Sequence, residues 1–283
     1  MKLSIITVCY NSAATIRDAV DSVLAQQGVE LEYIVIDGQS SDDTVEILKT
    51  YGDRITKLVS EPDHGIYDAM NKGVALATGD VVGILNSDDF YADDSVLSQV
   101  VAAFEGNREP GTRDAAPPSH DGGHEGKQPS TINHRSSTAP VDCVYGDLDF
   151  VDAEDTSRVV RAWRSKPYQP GAFKRGWHPA HPTFFVRRSV YAAHGLFDTK
   201  LSIAADYEFM LRVLERHHCS SVYLPEVFVK MRMGGASTGS IQNILKANLQ
   251  CWQAWRQNGL GWSPLPVIAK PLSKLKQLRR SGD

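Results

Sequence analysis

The chain has 283 residues, 42% hydrophobic and 23% charged, with 30 basic against 34 acidic side chains and a formal net charge of −4. That length admits one large domain or two small ones, the composition is that of a soluble globular protein, and the charge balance argues against nucleic acid as the partner. No run reaches the ~18 apolar residues of a membrane span.

Residues 3–9, "LSIITVC", are apolar and β-branched and predict a buried parallel strand. "AATIRDAVDSVLAQQ" follows, with Ile16, Ala19, Val20, Val23 and Leu24 on one helical face and Asn11 or Ser12 as candidate cap. The arrangement repeats: "LEYIVID" is a strand ending at Asp37, Gly38 allows a tight turn, and "DDTVEILKTYG" begins a helix. "ITKLVSEP" predicts a third strand, "GIYDAMNKGVALATG" a helix and "DVVGILNSDD" a fourth strand. Strands alternating with helices across short links predict an α/β fold: an open, mainly parallel sheet flanked by helices.

Residues 105–140 offer almost nothing to bury and predict a disordered surface insertion; its histidines, His120, His124 and His134, are too far apart to suggest a metal site. Order resumes with "VDCVYGDLDFVD", a partner strand "RVVRAWRS", a strand turning into a helix at "HPTFFVRRSVYAAHG", the amphipathic helix "AADYEFMLRVLERH", and a strand with a proline break at "SSVYLPEVFVKMRMGG". The tail from 241 predicts helix, ending in the basic segment "KPLSKLKQLRR". Cys9, Cys143, Cys219 and Cys251 have no metal or redox spacing, so free thiols in a reducing compartment are expected. The opening "MKLSIITVCYN" is too short and too patterned for a secretion signal, so the expected location is cytoplasmic.

In an open α/β sheet, ligands bind beyond the carboxyl ends of the strands. Asp37 stands at one such end, and Asp88 and Asp89 at another. Adjacent carboxylates repel, and two resolutions are cheap: exposure in a turn, or a divalent cation. No GxGxxG or GxxxxGK[ST] loop is present to cradle phosphate through backbone amides, so a phosphorylated ligand needs another source of positive charge, which bound Mg²⁺ or Mn²⁺ supplies.

"SIITVCYNSAATIRDAVDSVLAQ", "IVIDGQSSDDT", "SEPDHGIYDAMNKGVALATGDVVGILNSDD" and "AADYEFMLR" together resemble the family 2 inverting glycosyltransferases of GT-A fold, especially those of bacterial surface-polysaccharide assembly. The resemblance covers about residues 1–104 and 141–240 and implies a UDP-sugar donor, a divalent metal and a saccharide or polyprenyl-diphosphate-linked saccharide acceptor. It implies a nucleotide-sugar-binding half at 1–104 and an acceptor and catalytic-base half at 141–240, with 241–283 a basic helical tail. Thr7, Tyr10 and Asn11 resemble the loop lining the nucleotide, Asp37 the contact to uracil, and Asp68 and Lys72 further donor contacts. Asp88 resembles the residue near the sugar or ribose, and Asp89 the direct metal ligand. Asn86 stands where the family often has a first aspartate. Asp206 matches the catalytic base, with Ala205 replacing the usual glutamate; the bland alternative is a helix cap. Glu208, two residues on, is the weaker base candidate.

Trp177, His178 and His181 are candidates for acceptor or diphosphate contact, with a packed core histidine as the rival reading of His181. Arg232 is a candidate phosphate contact in a closing loop hinged at Gly234 and Gly235. The processive Gln-x-x-Arg-Trp motif is absent, which favours one sugar per encounter. Two rival functions stand beside this one, a nucleotide-sugar nucleotidyltransferase and a non-catalytic nucleotide-binding scaffold. The basic tail, with Leu272, Leu275 and Leu278 on one side of a helix, suggests peripheral contact with the cytoplasmic membrane face.

Overall fold

The computed structural model describes residues 1–106, 140–234 and 241–261. The predicted insertion, except for its ends, and the segment from 262 onward, with the three tail leucines, lie outside these residues, as does Gly235.

The first half alternates strands and helices: β1 (Lys2–Cys9), α1 (Ile16–Leu24), β2 (Glu30–Asp37), α2 (Thr44–Lys49), β3 (Lys57–Ser60), α3 (Ile66–Leu76) and β4 (Val81–Asn86). All pairings here are parallel, β1 lying between β2 and β4 with β3 beyond β2. From Leu3 onward β1 is buried throughout, as a central strand covered on both faces must be. Its residues split between two cores. Ile6 and Val8 meet α3, while Leu3 and Ile5 meet α1. Ile16, Ala19, Val20 and Val23 are fully enclosed, each of the larger three contributing about 1.5–3 kcal/mol. The cap of α1 differs from expectation. Thr15 holds the N-cap position without a side-chain bond, and the Ser12 carbonyl accepts from the Thr15 and Ile16 amides. Asn11 instead sits at φ 49°, its side chain committed to the neighbouring loop.

The chain then forms β5 (Asp89–Tyr91), α4 (Val96–Glu105), β6 (Cys143–Val151), β7 (Val159–Trp163), β8 (Phe185–Arg187), α5 (Arg188–His194), α6 (Ala205–Leu211), β9 (Ser221–Arg232) and α7 (Ile241–Gln257). The sheet runs β3-β2-β1-β4-β8-β6-β9-β5, with β7 paired to β6. It is mixed rather than purely parallel: β6 and β9 are parallel, whereas β4–β8, β6–β8, β6–β7 and β5–β9 are antiparallel. The physical reason is the connection type. A parallel neighbour needs a crossover, usually a helix; β7 follows β6 through a short turn, and β8 arrives by extended chain and 3₁₀ turns. Pro225 does not break β9; the register with β6 shifts around it, between Tyr145 and Asp147. The helix predicted at 204–217 is two pieces, α6 continuing into a π-turn over Arg212–Arg216.

Candidate functional site

The parallel register brings the expected strand ends together. Cys9 pairs with Asp37, and Val8 with Asn86, so the loops after β1, β2 and β4 emerge side by side. Hydrogen bonds knit them. Asn11 Oδ1 accepts from the Ser41 amide at 2.8 Å, the Asn11 amide donates to Ser40 Oγ at 2.8 Å, and Ser12 Oγ lies 2.8 Å from Ser87 Oγ. Gly38 leaves room for its neighbours: a Cβ there would displace the Asp63 carboxylate and touch the Tyr10 ring. Tyr10 itself is 63% exposed over this crevice.

Asp37 is fully buried at the end of β2, and its charge is met by protein donors. Oδ2 accepts from the Ser40 amide at 3.0 Å and Ser60 Oγ at 2.6 Å, while Oδ1 accepts from Ser40 Oγ at 2.5 Å. Thr7 lies apart from the crevice. It is enclosed in the sheet, with Oγ1 accepting from the Tyr33 hydroxyl at 3.0 Å, so of this segment Tyr10 and Asn11 stand at the strand end and Thr7 does not.

At the end of β4, Ser87 and Asp88 form the turn into β5, and Asp89 is the first residue of that strand. Asp88 is half-buried, Asp89 completely buried. Burial, then the Asp88 charge, pushes the Asp89 carboxyl well above the usual range; Asn86 and Arg232 pull it back. Asn86 Nδ2 donates to Asp89 Oδ2 at 3.1 Å, but Oδ1 of Asp89 and Oδ1 of Asn86 are sealed from solvent without a partner. Two orphaned hard oxygens at one strand end fit a divalent cation, which would satisfy both and neutralise the carboxylate. Among the described residues no three His, Cys, Asp or Glu side chains gather in ligand range. Such an ion would therefore complete its shell from substrate phosphate and water, as Mg²⁺ commonly does.

Arg232 ends β9, whose Met231 pairs with Asp89. Its guanidinium donates to the Asp88 carbonyl at 3.1 Å, pairs with Asp18 on α1 and lies 5.2 Å over the Phe90 ring. It is the cation nearest the carboxylate pair in these contacts. Lys72 is turned elsewhere, bonding Glu61 at 2.9 Å and the Pro62 carbonyl at 2.7 Å, with Asp68 at 3.8 Å. Asp68 accepts from the His64 amide at 3.0 Å, so both residues knit the loop leading into α3.

The second cluster surrounds Asp206, in the first turn of α6. Ala204 is the N-cap, and no side chain caps this helix; Asp206 is therefore not the cap but stands in the first turn, where a carboxylate meets the positive end of the helix dipole. Oδ1 accepts from the Tyr67 hydroxyl at 3.0 Å, and among the described residues Asp206 forms no ion pair. Tyr67 stands one residue before Asp68; the sequence signal was present in "GIYDAMNKG", but its partner lies 139 residues away. His181 lies edge-on to Phe197, 5.9 Å between centroids, with Nε2 sealed and without a hydrogen-bond partner. Burial holds its imidazole below the usual value, against the pull of the Asp206 charge, so His181 is a neutral ring within reach of that carboxylate's field. Trp177 packs on Tyr145 at 6.3 Å under Lys166, and His178 stacks among Phe173, Tyr207 and Trp163 while bonding the Pro179 carbonyl at 2.8 Å. Glu208 is taken up by Arg212 at 2.9 Å and by Asn258 at 2.9 Å.

Thus a strand-end cluster with anionic and cationic groups lies at the carboxyl ends of the strands of an α/β sheet, and a carboxylate without a counter-ion among the described residues sits on a helix from the other half. Known proteins share this fold. The profile of the family described as "Glycosyl transferase family 2" matches residues 4–193, a span that includes Asp37, Asn86, Asp88 and Asp89 and stops short of Asp206 and Arg232. An uncharacterized glycosyltransferase of Mycobacterium tuberculosis is 31% identical over 213 residues, 74% of this chain and 68% of that protein. The structure of Staphylococcus aureus TarS 1–349 in complex with UDP superposes with a TM-score of 0.56 at 17% identity, over 90% of this chain and 65% of that one. The mannosyltransferase PcManGT from Pyrobaculum calidifontis, in complex with GDP-Man and Mn²⁺, superposes with a TM-score of 0.59 at 17% identity, over 94% of this chain and 68% of that one. This chain spans 39% of the longer TarS structure. On the extent of the profile match and the identity of the mycobacterial relative, the chain belongs to glycosyl transferase family 2.

Proposed function

We propose that this glycosyltransferase moves one sugar, with inversion, from a UDP-sugar to a hydroxyl of a saccharide or polyprenyl-diphosphate-linked saccharide in bacterial polysaccharide synthesis. The carrying observation is Asp206: a helix-start carboxylate with no capping bond and, among the described residues, no counter-ion and one side-chain hydrogen bond, from Tyr67. A general base needs an oxygen free to take a proton, and Oδ2 is that oxygen. The acceptor hydroxyl gives its proton to Asp206 Oδ2 while its oxygen attacks the anomeric carbon. The diphosphate leaves from the opposite face with the bonding electrons, so configuration inverts without a covalent intermediate.

Tyr10 and Asn11 line the nucleotide, and Asp37 braces the loop on which the base rests. Asp88 faces the ribose or sugar, and Arg232 offers positive charge to the diphosphate after parting from Asp18. Asp89, with Asn86 beside it, would hold the Mg²⁺ or Mn²⁺ that stabilises the departing diphosphate. Asp68 and Lys72 support the donor through the 61–65 loop, while Trp177, His178 and His181 flank the acceptor. The UDP and GDP-Man complexes of structures sharing this fold are consistent with a nucleoside-diphosphate donor.

The test is Asp206→Asn. It should leave UDP affinity within a few-fold and lower sugar transfer by ~10²–10⁴, with wild-type product of inverted anomeric configuration by proton NMR. Normal turnover in the variant would reject Asp206 as the base. Release of pyrophosphate instead of nucleoside diphosphate would point to nucleotidyl transfer.

A further inference from the structure

Tyr67 is buried in α3, and its ring stacks on Phe197 at 5.9 Å. Its hydroxyl lies 2.8 Å from the Ile203 carbonyl and 3.0 Å from Asp206 Oδ1. A phenol has one proton for these two acceptors. The two contacts bracket the turn that leads into α6. The same turn is held from its other side by Gln250 of α7, whose Oε1 accepts from the Ile203 amide at 2.8 Å and the Ala204 amide at 3.1 Å. Ile203 therefore has its carbonyl within bonding distance of the Tyr67 hydroxyl and its amide bonded to Gln250 of α7.

We propose that Tyr67 is a positioning residue for the transfer reaction: its hydroxyl fixes Asp206 Oδ1 and leaves Oδ2 as the proton acceptor. This rests on the assignment of Asp206 as base. Donation to Oδ1 orients the carboxylate plane and leaves Oδ2 presented to the acceptor proton. When Oδ2 takes the acceptor proton, the hydroxyl can turn its own proton to the Ile203 carbonyl, already within bonding distance. The rotation needs no movement of the ring, so the buried phenol keeps a partner in both protonation states of Asp206.

The experiment compares wild type with Tyr67→Phe, Asp206→Asn and Gln250→Ala. Nucleoside diphosphate release is followed against pH from UDP-glucose, UDP-galactose, UDP-N-acetylglucosamine and GDP-mannose, using the donor wild type cleaves. Phenylalanine keeps the stacked ring and removes only the hydroxyl. Tyr67→Phe is expected to lower kcat about ten- to a hundred-fold, the loss of one hydrogen bond to a charged group. Donor KM should stay within two-fold, and the acid limb of the pH–rate profile should move to higher pH. Gln250→Ala, which holds the same turn without touching Asp206, should lower Tm without moving that limb. An unchanged kcat and acid limb in Tyr67→Phe, with Asp206→Asn inactive, overturns the role of Tyr67 and leaves the base in place. A raised KM with an unmoved acid limb makes Tyr67 structural only and also overturns it. Full turnover in Asp206→Asn removes the base assignment and Tyr67 with it.

Discussion

Asp89 is enclosed by the fold, and one of its oxygens is left with nothing to bond. A buried carboxylate with an unsatisfied oxygen and a like charge beside it destabilises the empty site. Removing that charge should therefore cost the fold little and the ligand much. Asp89→Asn is expected to keep the wild-type circular dichroism and Tm, while UDP binding loses its enhancement by Mn²⁺ in isothermal titration. Metal-enhanced affinity equal to wild type would show that the ion is held elsewhere. Asp37 is the contrasting residue. Its charge is equally buried but fully bonded to Ser40 and Ser60, so it braces the loop whether or not a nucleotide is present.

Glu32 shows how elements of the first half are joined. It lies on β2, and its carboxylate accepts from Ser4 Oγ on β1 at 2.5 Å and from the amide and hydroxyl of Thr78, each at 2.7 Å, with Lys2 at 3.4 Å. Burial pushes this carboxyl up, but the bonds from Ser4 and Thr78 and the Lys2 charge outweigh it and hold the group down to about 2. A folded-state value below the unfolded 4.5 means that the network stabilises the protein above that pH. The contribution should disappear as pH falls from about 4.5 to about 2. With Lys2 and Thr78 open to solvent, screening trims the full linkage to about 2 kcal/mol. Urea unfolding of Glu32→Gln should show that loss at pH 7 and convergence with wild type toward pH 2. A constant gap across the range would place the effect in packing instead. On the same face of the sheet, two residues along β1 from Ser4, α3 approaches so closely that a Cβ at Gly73 would clash with the Ile6 side chain.

At the scale of the whole chain, α6 is held from two directions. Tyr67 reaches it from the first half, while Gln250 and Trp255 of α7 and Asn258 just beyond it bond Ile203, Tyr207 and Glu208. No helix among the described residues is long and apolar enough to cross a membrane. The outer side of α7 leaves Leu245 and Leu249 exposed and is followed by the basic tail proposed to contact an anionic bilayer. Sedimentation with liposomes should recover full-length protein more than a chain ending at Ile268, in proportion to anionic lipid and less at high salt. Equal partitioning of the two chains at low salt would reject the tail as the contact.

The pattern of the first half was readable without coordinates. Uninterrupted β-branched strands, helices with apolar residues three and four apart, and polar residues where the chain must turn state the same α/β plan locally. Their strand ends, Asp37 and the Asp88–Asp89 pair, mark the ligand edge, and the family pattern in "DGQSSDDT" and "NSDD" was legible in the same residues. Direction of pairing in the second half was not, because β7, β8 and β9 carry similar apolar patterns whether their neighbours run with them or against them. Thr7 looked like a crevice residue by position, yet the pleat turned its hydroxyl toward Tyr33. The contacts that hold Asp206 and the turn before it were also beyond the sequence. Tyr67 and Gln250 lie 139 and 44 positions from it, and neither carries a local signal for a partner so distant. Local propensity and periodicity decide which residues form strands and helices. Only the packed sheet decides which side chains, far apart along the chain, meet around one carboxylate.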